Sequence, residues 1–306
     1  MSTKHDLYCA SVLRAGVYAS LAIALLTLPG CDWLQDRFRA KGPDIRFATS
    51  GKEHHTKTDL AQVEYHYPLT TEELARITPE NLAGLDQEQV DQIYARLAAG
   101  PIPDGAFDGS ILMPRGMSGK FRVAEIAGGF AETALHLKGL KIETLGETLW
   151  RGKVFYRNDR VLRNRIEDLS LLKTAGLVQG DPKKMDFGGK QTWLLFPAKL
   201  YCGQSLLDAR RESIIIDYFF TDEIPGYQEN PDYLAGRRGL KVRDEIRMVR
   251  PGFYLGRAYL DKIFLLNFTL YNKDIAARDG EGYMKTGRVA EDCWTGTQQR
   301  VVQAAR

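Results

Sequence analysis

The strongest constraint on the fold is a series of short strand-like segments between residues 149 and 275. They are rich in aromatic and β-branched residues, which favour strands, and short turns such as Pro251-Gly252 separate them. Seven or eight such strands predict an antiparallel sheet that curls into a small, lipocalin-like barrel. Pro197 interrupts one segment, which predicts a bulge or an edge position there. The segments are Leu149–Tyr156, Val161–Ile166, Thr192–Cys202, Ser213–Phe220, Val242–Val249, Phe253–Tyr259 and Ile263–Tyr271.

A helical section precedes the strands, over residues 69–148. Thr78, followed by Pro79 at the first helical position, predicts one helix start. Residues 86–99 form the clearest predicted helix, because apolar residues recur there at spacings of three and four. A further helix is predicted over Phe121–Leu137. Short helices with one apolar stripe have to pack on something larger, so the predicted fold class is α+β, with the helices packed on the curled sheet.

The N-terminus carries an independent pattern. Residues 1–16 are weakly basic, and Val17–Leu28 is a mostly apolar run of 12 residues. This run is too short to span a membrane, which takes about 20 residues, but it suits the apolar part of a signal peptide. Leu28-Pro29-Gly30-Cys31 resembles the lipobox of bacterial lipoproteins, whose cysteine is acylated and becomes the new N-terminus. The chain as a whole is similar to proteobacterial envelope lipoproteins.

This resemblance implies a signal peptide over residues 1–30 and a protein that is lipid-anchored in the cell envelope and faces the periplasm. Acyl chains on Cys31, palmitate among them, provide stable attachment in such proteins. Asp32 at the next position favours the inner membrane over the outer one. Residues 31–68 are polar and irregular and are predicted to form a flexible tether, and residues 276–306 a polar tail. A plain secretory signal with an incidental cysteine is the alternative.

Cysteines and histidines are few, with four and five in the chain. Processing at Cys31 leaves thiols on Cys202 and Cys293, which either pair in an oxidising compartment or lie too far apart to bridge. The adjacent His54 and His55 lie in the polar tether, where solvated side chains are the usual state. We therefore predict no metal site and no cofactor.

Polar residues on two strands are the candidates for a ligand site. Alternation places Arg247 on one face of its strand, with Ile246 and Met248 on the other. Asp217 lies among apolar residues, and a buried carboxylate there needs a partner such as Arg247. An alternative is that the charged residues around Arg247 form a ladder that faces water. The ligand-site hypothesis places four polar groups in the mouth of the barrel: Asp217, Arg247, Tyr254 and Asn267.

Two short motifs resemble the GXWXG family of small β-barrel proteins. Pro103–Gly109 and Leu149–Phe155 are similar to the opening of that family, with Phe107 in place of its tryptophan and an insertion between the two halves. Leu207-Asp208 and Ile215–Phe219 are similar to a second short domain that is often joined to it. The resemblance implies a barrel and assigns no activity.

The sequence contains no GxSxG, HExxH, P-loop or GxGxxG motif, so we assign no catalytic residue. A net charge of +3, from 42 basic and 39 acidic residues that are interleaved, argues against nucleic-acid binding. We expect a membrane-tethered protein that binds an apolar or amphipathic, lipid-like small molecule without catalysis. The second hypothesis is an accessory or chaperone lipoprotein for an exported enzyme, which would be its protein partner. An enzyme that uses Asp217 with Arg247 or Tyr254 is the third.

Replacement of Cys31 by serine tests the lipoprotein prediction, because it removes the acylation site. After cell disruption and ultracentrifugation, the unaltered chain is expected in the membrane fraction and Cys31→Ser in the soluble fraction. A Cys202→Ser control is expected to stay with the membranes. A Cys31→Ser chain that still sediments with membranes would contradict the prediction.

Overall fold

An eight-stranded antiparallel barrel dominates the part of the chain that the computed structural model describes, which comprises residues 42–49, 58–115, 150–174 and 176–296. A short extra strand, β4, forms a hairpin with β5. The strands are β1 (Gly105–Leu112), β2 (Trp150–Tyr156), β3 (Val161–Ile166), β4 (Met185–Phe187), β5 (Lys190–Gln204), β6 (Glu212–Asp217), β7 (Val242–Arg250), β8 (Phe253–Leu260) and β9 (Ile263–Tyr271).

The barrel is closed. Apart from β4, each strand pairs with its neighbours in the chain, and the ring is completed where β1 pairs with β9 and β3 pairs with β5. Every ladder is antiparallel. This up-and-down order is that of lipocalin-type barrels. The predicted antiparallel barrel is therefore confirmed.

Aromatic residues fill much of the barrel interior. The ring of Phe107 meets those of Phe155 and Tyr254 edge to face, with centroids 5.4 and 5.7 Å apart. Such pairs add stabilisation beyond the burial of their apolar surface. Aliphatic side chains of β6 and β7, including Ile216 and Ile246, continue this core around the ring.

Strand β5 bends at the position that Pro197 predicts. Its pairing register with β3 shifts beside this residue, and Phe196 takes a positive φ of 51°. The Phe196 N–H leaves the ladder and donates to Asp232 Oδ1 at 2.6 Å. This hydrogen bond to a carboxylate replaces the lost ladder bond. The long strand β5 can therefore bend and still pair with β3 on one side and with β6 on the other.

Seven α-helices and one short 3₁₀ helix, Thr221–Glu223, accompany the barrel in the described residues. Capping boxes begin α2, α3 and α4, as the threonine and aspartate residues ahead of them favour. The helices are α1 (Leu60–His66), α2 (Thr71–Arg76), α3 (Pro79–Ala83), α4 (Gln87–Arg96), α5 (Ser170–Thr174), α6 (Glu229–Asp232) and α7 (Lys273–Thr286).

Helix α4 is shorter than the 86–99 range predicted for it. It ends at Arg96, because Leu97 is extended and the carbonyl of Ala98 accepts the N–H of Met248 at 3.0 Å. Its apolar face, with Ile93 and Tyr94, shares a buried cluster with outward-facing residues of β7 and β8. No helix of the described residues has both the length and the apolar character needed to cross a bilayer.

Two segments that were predicted to be loose have defined contacts where they are described. Residues 43–49 lie beside α4, where the Gln92 side chain exchanges hydrogen bonds of 3.0 and 2.9 Å with the backbone of Ala48. Helix α1 falls within the predicted tether, and the predicted tail from residue 276 begins inside α7. Beyond that helix, Asp292 accepts the backbone N–H of Ile102 at 2.8 Å.

The sequence of residues 101–113 predicts a turn that leads into a strand, and β1 lies there. It completes the barrel, although the section 69–148 around it is predicted to be helical. The lipobox with Cys31, the histidines His54 and His55, and the predicted helix over Phe121–Leu137 lie outside the described residues.

A disulfide joins Cys202 of β5 to Cys293, 91 residues later in the chain. It lies beside a backbone pair in which Glu212 N–H donates to the Trp294 carbonyl at 3.0 Å. The bond therefore ties the segment after α7 to the barrel wall, and Cys202 and Cys293 are not free thiols.

Loss of this disulfide is expected to lower the free energy of unfolding, because the bond restricts a long loop in the unfolded chain. Replacing both cysteines by serine is expected to cost about 2–4 kcal/mol. Urea denaturation followed by tryptophan fluorescence measures the change. A reducing agent should shift the unaltered protein toward the double variant and leave the variant itself unchanged. An unaltered protein that is insensitive to reduction would contradict the prediction.

Candidate ligand-binding cavity

A cavity of about 280 Å³ lies inside the barrel beside Trp150, Ala258 and Phe268. Its wall is almost entirely apolar, and two segments outside the strands, around Leu172 and Leu234, contribute to it. The described lining residues are Ile111, Trp150, Lys153, Asn164, Ile166, Leu172, Leu177, Phe196, Tyr218, Leu234, Ala235, Leu240, Val242, Asp244, Ala258, Leu260, Leu265, Leu266 and Phe268.

Four polar side chains interrupt this apolar wall as one buried cluster. Three alternate inward with the core residues of their strands: Asn164 on β3, Tyr218 directly after β6, and Asp244 on β7. The fourth, Lys153 on β2, alternates inward with the core residue Phe155 and pairs in register with Phe107 on β1 and Asn164 on β3. The four groups of the cluster thus come from β2, β3, the end of β6 and β7, and only the closed barrel brings these positions together.

The bulge at Gly152 is what allows both Trp150 and Lys153 to line the cavity, although they are three residues apart. The β2–β3 register shifts between Trp150 and Gly152, which alters the alternation of inward and outward side chains. Gly152 has a φ of +127°, and a Cβ there would collide with the carbonyl oxygen of Phe107. Only glycine fits this position without displacing β1.

The Lys153 ammonium is the centre of the cluster. Its Nζ donates three hydrogen bonds, to Asp244 Oδ2 at 2.9 Å, to Asn164 Oδ1 at 2.9 Å and to Tyr218 Oη at 2.6 Å. These three acceptors match the three donors of an ammonium group. The Lys153–Asp244 pair is deeply buried, with side chains 4% and 6% exposed, so the ion pair is shielded from water.

Asn164 fixes the geometry of its neighbours. Its Nδ2 group donates to the Phe196 carbonyl at 3.0 Å, at the β5 bend, and to Tyr218 Oη at 3.0 Å. Its Oδ1 also accepts the indole N–H of Trp150 at 3.0 Å. The amide therefore connects the polar cluster to the aromatic wall and leaves its members little rotational freedom.

Burial governs the ionisation of this cluster. Removal from water lowers the pKa of Lys153, and the carboxylate of Asp244 opposes that shift. Burial, followed by the charge of Asp244, raises the pKa of Tyr218 well above its ordinary value. The aromatic rings of Trp150, Tyr218 and Phe268 surround the Lys153 Nζ at 5.3, 5.3 and 5.4 Å from their centroids. The charges of the Lys153 ammonium and the Asp244 carboxylate therefore balance, and the Tyr218 phenol keeps its proton in these apolar surroundings.

The four residues predicted to share a barrel mouth are not brought together. None of them lines the cavity. Asp217 is half-buried at the end of β6, where it accepts from the Tyr201 hydroxyl at 2.8 Å, and it pairs in register with Arg243. Tyr254 faces the interior and donates to the Pro101 carbonyl at 2.6 Å. Whether any of these residues contacts a ligand stays a prediction.

Arg247 and Asn267 point away from the cavity, into the layer between the barrel and α4. Asn267 donates to Gln87 Oε1 of α4 at 2.8 Å. Arg247 is completely buried and lies 4.9 Å from the ring centroid of Tyr94. Its guanidinium donates to Ser213 Oγ at 2.9 Å and to the carbonyls of Tyr94, Ala95, Asp208 and Arg211 at 3.0–3.3 Å. Arg247 therefore belongs neither to a charge ladder that faces water nor to the wall of the cavity. It joins α4 to the outside of the barrel.

A second cleft, of about 610 Å³, lies between residues 101–107 and α7 and is bordered by Tyr254 and Arg157. Its wall mixes charged and apolar side chains, including Asp279 on α7. Its described lining residues include no polar cluster enclosed by apolar walls. The interior cavity therefore has the composition that is more typical of a small-molecule site.

No protein-family model matches this chain, and no curated protein matches it. Among solved structures, a protein from Thermomonospora curvata is similar over 66% of this chain and 97% of its own, with 18% sequence identity and a TM-score of 0.33. A score at that level transfers neither a fold nor a function. The resemblances to envelope lipoproteins and to the GXWXG family stay predictions.

The buried Lys153–Asp244 pair makes a specific prediction about stability. Asp244→Asn leaves a buried ammonium without its counter-charge, and the free energy of unfolding is expected to fall by about 3–5 kcal/mol. The double variant Lys153→Met/Asp244→Leu removes both charges and is expected to recover most of that loss. Urea denaturation measures each variant.

A matched control is the exposed pair of Lys285 and Glu281 on α7, which lie 2.6 Å apart with side chains 71% and 80% exposed. Glu281→Gln is expected to leave stability unchanged, because water screens exposed pairs. An Asp244→Asn variant as stable as the unaltered protein would refute the buried pair.

Proposed function

We propose that this chain is a lipid-anchored protein of the bacterial cell envelope that faces the periplasm and holds an apolar or amphipathic small molecule in its barrel. The observation that carries the proposal is the interior cavity, whose apolar wall is interrupted by one buried polar cluster around Lys153. Pockets of this composition are typical of small-molecule sites, where apolar walls supply affinity and a few polar groups fix orientation.

The composition of the wall favours one orientation of such a ligand. Its apolar body would lie against Leu260, Leu265 and Leu266, and a single polar head would meet Lys153 and Tyr218. The cavity volume of about 280 Å³ lies just below the usual range for ligand pockets, about 300–1,000 Å³. This volume favours a single short chain or a small ring system over a whole two-chain lipid.

The disulfide supports the proposed location. Bonds such as that between Cys202 and Cys293 persist in oxidising compartments, and the bacterial periplasm is one of these. The proposed anchor at Cys31 would hold the barrel at the membrane surface, where apolar molecules are concentrated. Binding without catalysis is the simplest use of a site whose amine, carboxylate and phenol already satisfy one another.

The alternative is an accessory or chaperone lipoprotein for an exported enzyme. Its basis is the amphipathic helices that precede the barrel in the chain. The apolar stripe of α4, with Val90, Ile93 and Tyr94, is fully buried within this chain. That face is not available to a protein partner. Binding of a small molecule is therefore the better supported of the two proposals.

A variant that fills the cavity tests the proposal. Ala258→Trp places an indole in the wall and is expected to weaken binding of the neutral fluorescent probe N-phenyl-1-naphthylamine by about tenfold or more, about 1.4 kcal/mol. Fluorescence titration of the purified protein measures the affinity. Ala277→Trp, at an exposed position on α7, is the matched control and is expected to bind as the unaltered protein does.

One further measurement and one further variant distinguish a loss of binding from a loss of the fold. Circular dichroism reports whether each variant keeps its barrel, and Ala235→Leu reduces the same cavity from a different part of its wall. Equal probe affinity in the unaltered protein and both filled variants would refute a ligand site in this cavity.

A further inference from the structure

Lys153 offers a chemical function that simple apolar binding does not use. Among the described residues that line the cavity it contributes the one amine, and no serine, threonine, cysteine or histidine is present among them. Its side chain lines an apolar space of about 280 Å³, and its Nζ is held there by Asp244, Asn164 and Tyr218. A primary amine in such surroundings is the group that forms imines with carbonyl compounds.

We propose that Lys153 captures an apolar aldehyde in the cavity by forming a reversible imine, with Asp244 as the counter-ion of the protonated product. This inference rests on the proposed function and names the class of ligand. The aldehyde carbon would lie at Nζ, and the alkyl or ring portion would lie along the apolar wall around Leu265 and Leu266.

Charge balance distinguishes an aldehyde from other polar heads. A ligand carboxylate or phosphate would add a second negative charge beside Asp244, with the single ammonium of Lys153 to balance both. An unbalanced charge in an apolar cavity is costly. An aldehyde is neutral, and its protonated imine carries the same single positive charge as the ammonium it replaces. The site therefore has one cation and one anion both before and after the reaction.

The contacts of Nζ provide for each proton in the reaction. Asp244 Oδ2, at 2.9 Å, first takes a proton from the ammonium. The nitrogen lone pair then forms the C–N bond, and the C=O π pair moves to oxygen, which takes a proton relayed from nitrogen by the Tyr218 hydroxyl at 2.6 Å. Asp244 returns its proton to that oxygen, and the C–O bond breaks as the nitrogen lone pair forms C=N. One water molecule leaves.

Burial assists the first of these steps. Removal from water lowers the pKa of Lys153, which increases the fraction of neutral amine, although Asp244 opposes the shift. The rings of Trp150 and Phe268, whose centroids lie 5.3 and 5.4 Å from Nζ, give the product apolar surroundings, in which an imine is hydrolysed more slowly than in water.

Reductive trapping tests the inference. The full chain in detergent is incubated at neutral pH with octanal, and sodium borohydride then converts any imine to a stable secondary amine. Intact mass and peptide mapping locate the adduct. Modification of Lys153 is expected to exceed that of any surface lysine by about tenfold or more, because the apolar wall holds octanal beside this side chain and about 1.4 kcal/mol of binding free energy corresponds to a tenfold enrichment.

The controls separate chemistry from packing. Lys153→Arg keeps the positive charge but cannot form an imine, and Lys153→Met removes the amine, so both are expected to lose the adduct. Lys199→Met removes a half-exposed lysine that pairs with Glu223 and is expected to leave trapping at Lys153 unchanged. Adducts spread over surface lysines, with Lys153 unmodified, would overturn the inference.

A non-covalent competitor distinguishes this inference from the proposed function. Octanol has the chain length of octanal but no carbonyl group, and its displacement of N-phenyl-1-naphthylamine measures binding alone. Displacement by octanol without an adduct at Lys153 would overturn imine formation and leave the apolar ligand site in place. Neither displacement nor adduct would overturn both.

Discussion

Closure of the barrel is the constraint on which the rest of the structure depends. Because β1 pairs with β2 on one side and with β9 on the other, every strand of the ring has two partners. A ring of eight strands is just wide enough to be filled by side chains or to hold one small ligand. Large rings such as Phe107, Phe155 and Tyr254 fill part of the interior, whereas Ala235 and Ala258 leave space elsewhere. The position of the cavity thus follows from the sizes of the inward side chains.

Strand β7 shows how the outer face is used. Asp244, Ile246 and Met248 point inward, while Arg247 and Val249 point outward and are also buried. A charged residue on the outer face of a barrel usually meets water. Here the guanidinium donates to four backbone carbonyls of the surrounding segments, so it stabilises helix α4 on the barrel without any contact with the cavity. Burial of Arg247 is therefore a property of the fold, and it carries no evidence of a ligand.

Local patterns in the sequence predict most of this barrel, because strand composition, turns and the bend at Pro197 act over a few residues. The site was harder to predict, since its four members meet only after closure. Alternation places Asp244 on the same face as Ile246 and Met248, so the sequence itself indicates a buried acid at this position. Alternation likewise puts Lys153 on the same face as Phe155, whereas Trp150 gave no such signal, because the bulge at Gly152 shifts it onto that face. Bulges depend on pairing between distant segments, and simple alternation does not reveal them.

Stability alone does not account for the ion pair in the cavity wall. Replacement of a buried ion pair by well-packed apolar residues is often neutral or stabilising, because desolvation offsets much of the attraction between the charges. The Lys153–Asp244 pair is nevertheless supported by Asn164 and Tyr218 and by three aromatic rings. These contacts hold an amine, a carboxylate and a phenol at one fixed geometry beside an apolar space. A purely structural core would be simpler without them, and this arrangement supports the proposal that the cavity binds a ligand through one polar head group.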